Sequence, residues 1–190
     1  MARLFRQVAK DRSLLLQLTP QAMEVFNTAV RDRADVRYLS VVARSPRPGL
    51  APARATGVDP YGQAVHALYA AIYRLAAQTP ARDAPLPTRA QAARLSRAYG
   101  KVPSARANDG IVPTLSQLHG RLLHVARADH LDVVGHYTLA SEHTSDWLPS
   151  GAGFTPDAFE ATWDAVAAAI ARGSRSRRGR SPGTKRARHP

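Results

Sequence analysis

The chain has no cysteine, which excludes disulfides, thiol nucleophiles and cysteine-based zinc sites. It has no apolar run of about 18 residues, the least that spans a bilayer. The opening stretch MARLFRQVAKDRSLLLQL is broken by charges, and its apolar run LLLQL is too short for the core of a signal peptide. With no export signal, cytoplasm is the default expectation. Acidic residues are also scarce, 14 Asp and Glu against 27 Lys and Arg, for a formal net charge of +13.

That excess is unevenly placed. Residues 172–190 hold eight basic side chains and no acid, and the rest of the chain carries 19 basic and 14 acidic residues. The high charge is therefore no nucleic-acid footprint of the whole domain. The length, 190 residues, suffices for one domain with a real core. After Arg172 only Arg, Ser, Gly and Pro dominate, a composition that buries no core. The expected division is a folded portion, 1–171, and a disordered basic tail, 172–190.

Hydrophobic periodicity places the elements. Thr19-Pro20 starts a helix over about 20–31, with Ala22, Val25, Phe26, Ala29 and Val30 at helical spacing. DVRYLSVVA (35–43) reads as a strand of a parallel sheet, and RSPRPGLAPARATG (44–57) as a loop. A helix over 61–78 carries Val65, Leu68, Tyr69, Ile72 and Leu75 on its apolar face. Thr88 and Gln91 form a capping box for a helix over 89–99, stopped by Gly100. RLLHVA (121–126) is a second strand. In the last helix Thr155 caps, Pro156 occupies the first position, Phe154 staples onto Phe159, and Phe159, Trp163, Val166 and Ile170 form the stripe. Trp147 and Trp163 are expected in the core. The fold class is α/β, but two strands make an incomplete sheet, so self-association through an unpaired edge is expected.

Two loops carry the chemistry. In NDGIVP, Asp109 sits in a turn; in ADHLDVVGH, His130 directly follows the second strand. A serine hydrolase needs a His to take the nucleophile's proton and a carboxylate to orient that His, and α/β-hydrolases order these Ser, Asp, His along the chain. NDGIVPTLSQ followed by ADHLDVVGH resembles the acid and histidine loops of bacterial triacylglycerol lipases of the α/β-hydrolase fold. LTPQAMEVFN and VRYLSVVA resemble that family's pre-strand helix and penultimate strand, so the likeness covers roughly Leu16 to Ile170, with 44–100 matching loosely. It implies ester hydrolysis, with Asp109 as triad acid and His130 as general base. In several such lipases an Asp two residues after the His helps bind a structural calcium, and Asp132 holds that place. The second acidic ligand of those proteins has no counterpart in the basic stretch PTRAQAARLSRAYG, so the calcium site is half provided for and no other cofactor is expected.

The family's G-x-S-x-G elbow occurs nowhere in the 190 residues; LPSGAG (148–153) lacks the first Gly and follows the His. The chain thus reads as the C-terminal portion of a lipase or esterase, a remnant that lacks the nucleophile and is inactive alone. Its substrate class in a complete parent would be an acylglycerol ester. His130, Asp132 and His136 also spell H-x-D-x3-H, sparser than the zinc motif H-E-x-x-H. His119, His124, His136 and His143 are expected to be ordinary loop and surface residues. The reading from a different class is a non-enzymatic, basic, α-rich protein whose tail binds nucleic acid or another anionic surface weakly and with steep salt dependence.

Overall fold

The computed structural model describes residues 20–55, 60–137 and 146–178. Its centre is a two-stranded parallel sheet of β1 (Leu39–Ala43) and β2 (Arg121–Ala126). The pairing runs from Leu39 opposite Arg121 to Ala43 opposite Ala126, with one irregularity between Ser40 and Val41. Five α-helices accompany it among the described residues, α1 (Pro20–Ala29), α2 (Leu50–Ala55), α3 (Pro60–Ala76), α4 (Arg89–Tyr99) and α5 (Pro156–Arg178), with short 3-10 turns that include Thr114–Gln117 and Asp132–Val134. The architecture is mixed α/β, as expected.

β2 begins where it does because Gly120 turns the chain at φ +61; a Cβ there would lie 2.2 Å from the Tyr38 carbonyl oxygen. That same oxygen accepts from the Arg121 N–H at 3.1 Å, the first rung between the strands. α4 lies against β2. Its start is the expected capping box: Thr88 Oγ1 accepts from the Gln91 N–H, and the Gln91 side chain accepts from the Thr88 N–H. Gly100 ends it in the left-handed conformation at φ +83. Leu95 and Tyr99 of α4 join Val42, Leu115 and Leu122 in one buried cluster. The Tyr99 hydroxyl donates to the carbonyls of Ala126 at 2.8 Å and Val42 at 3.3 Å, so one phenol ties both strands. Burial of that phenol pushes its pKa well up, which keeps it a donor. Each fully buried aliphatic side chain in this cluster contributes about 1.5–3 kcal/mol of burial free energy.

Several expectations are corrected. The strand expected over 35–43 is only five residues, Leu39–Ala43. The supposed loop 44–57 contains α2, whose Pro52 falls in the first turn, where a missing N–H costs nothing. α3 buries His66, Tyr69, Ala70 and Tyr73, while Leu68 and Leu75 are exposed. The buried face is therefore rotated from the expected one, because the two tyrosine rings pack together and the Tyr69 hydroxyl finds acceptors at the buried Ser45 hydroxyl and the Pro46 carbonyl.

α5 departs most. Thr155 caps it, its Oγ1 accepting from the Ala158 N–H at 3.3 Å, and Phe154 and Phe159 both pack on Tyr137. Yet Thr162 and Ala169 are the residues it buries, while Trp163 is 45% and Ile170 63% exposed. Small side chains let the helix approach β2 closely, and the indole is left at the rim, its Nε1–H donating to the Val133 carbonyl at 3.0 Å. Trp147 is likewise 47% exposed, so neither tryptophan is a core residue. The helix also runs through Arg178, beyond the boundary expected at 171/172; in the added segment RGSRSRR the four Arg favour the helix, and the nucleation cost is already met by the turns before it. The remainder of the tail, 179–190, lies outside the described residues, as does His143.

Candidate active site

The histidine loop follows β2 at the carboxyl end of the sheet, and the acid loop, which follows α4, is fastened to the chain just beyond β1. Asn108 is fully buried. Its carbonyl accepts from the Ser45 N–H at 3.1 Å, just beyond β1, and its side-chain amide donates to the Tyr73 carbonyl at 3.1 Å on α3. Its Oδ1 accepts from the Gly110 N–H at 2.8 Å, which closes the turn. Gly110 adopts φ +99, and a Cβ there would crowd the Tyr69 ring at 3.1 Å, so the sequence Asn-Asp-Gly is demanded by both conformation and space.

Asp109, placed between them, is 2% exposed. Its Oδ1 accepts from the N–H groups of Ile111 at 3.0 Å and Val112 at 2.7 Å. Its Oδ2 accepts from Gln117 Nε2 at 3.1 Å and meets His130 Nδ1 at 2.9 Å. The Asp109 carbonyl also accepts from the His130 N–H at 2.9 Å, so the two loops are joined through backbone as well as side chain. Two residues separated by 21 positions are thus brought into direct hydrogen-bond contact. The bond to Asp109 raises the His130 pKa above its ordinary value; partial burial opposes this and the Asp109 charge adds to it.

With Nδ1 committed to the carboxylate, Nε2 is the ring atom left for a reaction partner, and the side chain is 43% exposed. A ring held in this way can accept a proton at Nε2 while the carboxylate steadies the resulting imidazolium. Among the described residues no serine, threonine or tyrosine hydroxyl hydrogen-bonds to His130. Ser45 and Ser150 are buried and engaged elsewhere, with Asn108 and Asp129 respectively.

Gln117 escaped the sequence reading. Its Oε1 accepts from the Ala43 N–H at 2.6 Å, and its Nε2 lies within bonding distance of the Ala43 carbonyl, the Val112 carbonyl and Asp109 Oδ2. One amide thus connects the end of β1 to the acid loop. The only signal in the sequence was a long polar residue eight positions after the acid.

The metal expectations change in composition. The H-x-D-x3-H set is not assembled: His130 Nδ1 faces Asp109, and His136 stacks on Trp147 with ring centroids 5.0 Å apart. Asp132 instead groups with Asp129 and Asp146, each offering a carboxylate oxygen within 4.8 Å of the others. Acidic company for Asp132 therefore comes from its own loop and from a residue downstream, not from the basic stretch PTRAQAARLSRAYG. Burial raises the Asp132 pKa, and the neighbouring Asp129 charge raises it further; burial also raises that of Asp129, against the hydrogen bond from Ser150 Oγ at 2.7 Å. Three hard oxygen donors suit calcium or magnesium rather than zinc, and a cation would relieve their mutual repulsion, so the donor set fits such an ion. A separate cavity of about 540 Å³, lined by Arg74, Gln78, Thr79 and Arg106 among others, includes neither Asp109 nor His130.

Comparison with protein-family models, with characterised proteins and with solved structures finds no match to this chain.

Proposed function

We propose that this chain carries the acid–base arm of a serine-type carboxylic ester hydrolase of the α/β-hydrolase kind, lipase- or esterase-like, without its nucleophile. The observation that carries the proposal is the 2.9 Å contact of Asp109 Oδ2 with His130 Nδ1, made by a buried carboxylate and a partly exposed ring. The joining of the two loops supports it: the His130 N–H donates to the Asp109 carbonyl, and Asn108 beside Asp109 accepts from the Ser45 N–H just beyond β1.

In the reaction so proposed, Asp109 holds the Nδ1–H tautomer. His130 Nε2 takes the proton of an attacking hydroxyl and returns it to the leaving alcohol. Gln117 and the N–H groups of Ile111 and Val112 hold the Asp109 carboxylate in place. A bound calcium, where Asp129, Asp132 and Asp146 would hold it, supplies charge neutralisation behind the histidine loop and no chemistry on the ester. No G-x-S-x-G elbow stands in the 190 residues, so His130 has no hydroxyl to activate and the chain by itself turns over no ester.

Reading the DNA upstream of Met1 in all three frames for a G-x-S-x-G elbow, and expressing the joined product, tests this. Hydrolysis of p-nitrophenyl esters by the joined product, lost in His130→Ala and in Asp109→Ala, is the expected result. Turnover by the 190-residue chain itself, or a joined product indifferent to His130→Ala, contradicts it.

A further inference from the structure

We infer that the cavity at the C-terminal end of α3 is a binding site for a small organic phosphate monoester, held by Arg74 and Arg106. The inference stands apart from the ester-hydrolase proposal, because neither Asp109 nor His130 lines this cavity.

One wall of the cavity is the end of α3 and the chain that leaves it, from Arg74 to Ala81. The other is Ala105 and Arg106, which lead into the acid loop. The buried Asn108 amide holds the two walls together. Its Nδ2 donates to the Tyr73 carbonyl at 3.1 Å and to the Arg106 carbonyl at 3.2 Å. The backbone beside each lining arginine is thereby tied to one fixed group. The enclosed volume, about 540 Å³, falls in the range of small-ligand sites.

Charge selects the ligand's head. Two arginines and no acid line the cavity. Neither guanidinium has an ion pair or a hydrogen bond among the described residues. The acids that flank the two walls in sequence are engaged elsewhere, Asp83 with Arg82 at 3.4 Å and Asp109 with His130 at 2.9 Å. Carbonyls at the end of α3 would repel an anion if bare. Those of Tyr73, Leu75 and Ala76 are occupied, by the Ala77 N–H, the Gln78 N–H and the Thr79 hydroxyl respectively. A guanidinium presents a planar fork that matches phosphate oxygens. Two of them balance the roughly −1.5 to −2 charge of a phosphate monoester, where a carboxylate would leave one cation over. The uncharged wall selects the ligand's body. Ala77, Pro80, Ala81 and Ala105 offer apolar surface that a compact apolar group covers and inorganic phosphate leaves bare.

Calorimetric titration of the full chain with phenyl phosphate, inorganic phosphate and benzoate tests this. Phenyl phosphate should bind more tightly than the other two and shift the NMR signal of the Asn108 side-chain amide. Its affinity should fall by about tenfold or more in Arg74→Gln/Arg106→Gln, equivalent to about 1.4 kcal/mol. Both side chains are exposed, so that variant should keep the parent's melting temperature. Arg82→Gln removes an exposed arginine outside the cavity and should bind as the parent does. Arg106→Lys keeps the charge and loses the fork, so weaker binding there carries the test even if the double variant does not fold. Phenyl phosphate binding that the double variant or Arg106→Lys retains in full overturns the inference, and would assign that binding to the basic tail. So does equal loss in Arg82→Gln, or an Asn108 amide signal that does not move. Inorganic phosphate or benzoate binding as tightly as phenyl phosphate also overturns it, since the apolar wall or the doubled charge would then select nothing.

Discussion

Buried aspartates on the two loops, Asp109 on one and Asp129 with Asp132 on the other, are treated in opposite ways. Asp109 is a lone carboxylate that receives two backbone N–H groups, one amide and one imidazole. Asp132 and Asp129 are crowded together with Asp146, and of their donors three reach Asp129 and one reaches Asp132. The first arrangement satisfies an ionised carboxylate within the fold. The second leaves negative charge facing negative charge, which is relieved by a proton or by a cation. Burial alone therefore says little about a carboxylate; the donors aimed at it decide whether it is a fixed anion or a shared proton site.

The contrast is broken most sharply by removing each acid. Asp109→Ala strands four donors and should cost about 3 kcal/mol in urea unfolding. Asp132→Asn replaces a carboxyl that the fold keeps protonated near pH 7, so it removes the cost of holding that proton and should be neutral or stabilising. Equal losses in the two variants would mean that the groups do not differ as described.

The pH dependence of stability sharpens it. The folded pKa values of Asp129 and Asp132 are raised above those of the unfolded chain, so between the two values the native state binds more protons. Stability is then full below the ordinary carboxylate range of about 4 and is lost as pH rises through the raised values. Melting temperature should fall from about pH 4 toward pH 8, and Asp132→Asn should flatten the slope. Millimolar calcium should raise the melting temperature of the parent at the alkaline end and not that of Asp132→Asn. A parent curve that rises with pH over this range would contradict the crowding of the two carboxyls.

Smaller effects test the supports. Gln117→Ala takes an amide from Asp109 and from Ala43, and should cost about 1–2 kcal/mol. Trp163→Ala should cost about 1 kcal/mol, well below the 3–5 kcal/mol of a buried tryptophan, because nearly half the ring is already exposed. A loss as large as that for Asp109→Ala would put Trp163 back in the core.

What could be read in the sequence was local. The box Thr88-x-x-Gln91 and the stop at Gly100 bound α4 because capping is decided within four residues. Asn108, Asp109 and Gly110 announce their turn for the same reason. The pairing of Asp109 with His130 was legible only through the resemblance to lipase loops, since nothing in a 21-residue interval fixes a side-chain contact. What stayed hidden depends on packing. The stripe of large residues on α5 suggested a buried Trp163, but the sheet accepts the small face of Thr162 and Ala169. Asp146 and Gln117 carried no motif, and proximity in space alone brings them to their partners.

The most direct measurement is the NMR titration of His130 in the whole chain and in Asp109→Asn. The account predicts a His130 pKa above the ordinary value of about 6.5, with the proton on Nδ1 in the neutral form, and a fall in that pKa when Asp109 becomes Asn. An ordinary His130 pKa that Asp109→Asn leaves unchanged would contradict the pairing on which the proposed acid–base arm depends.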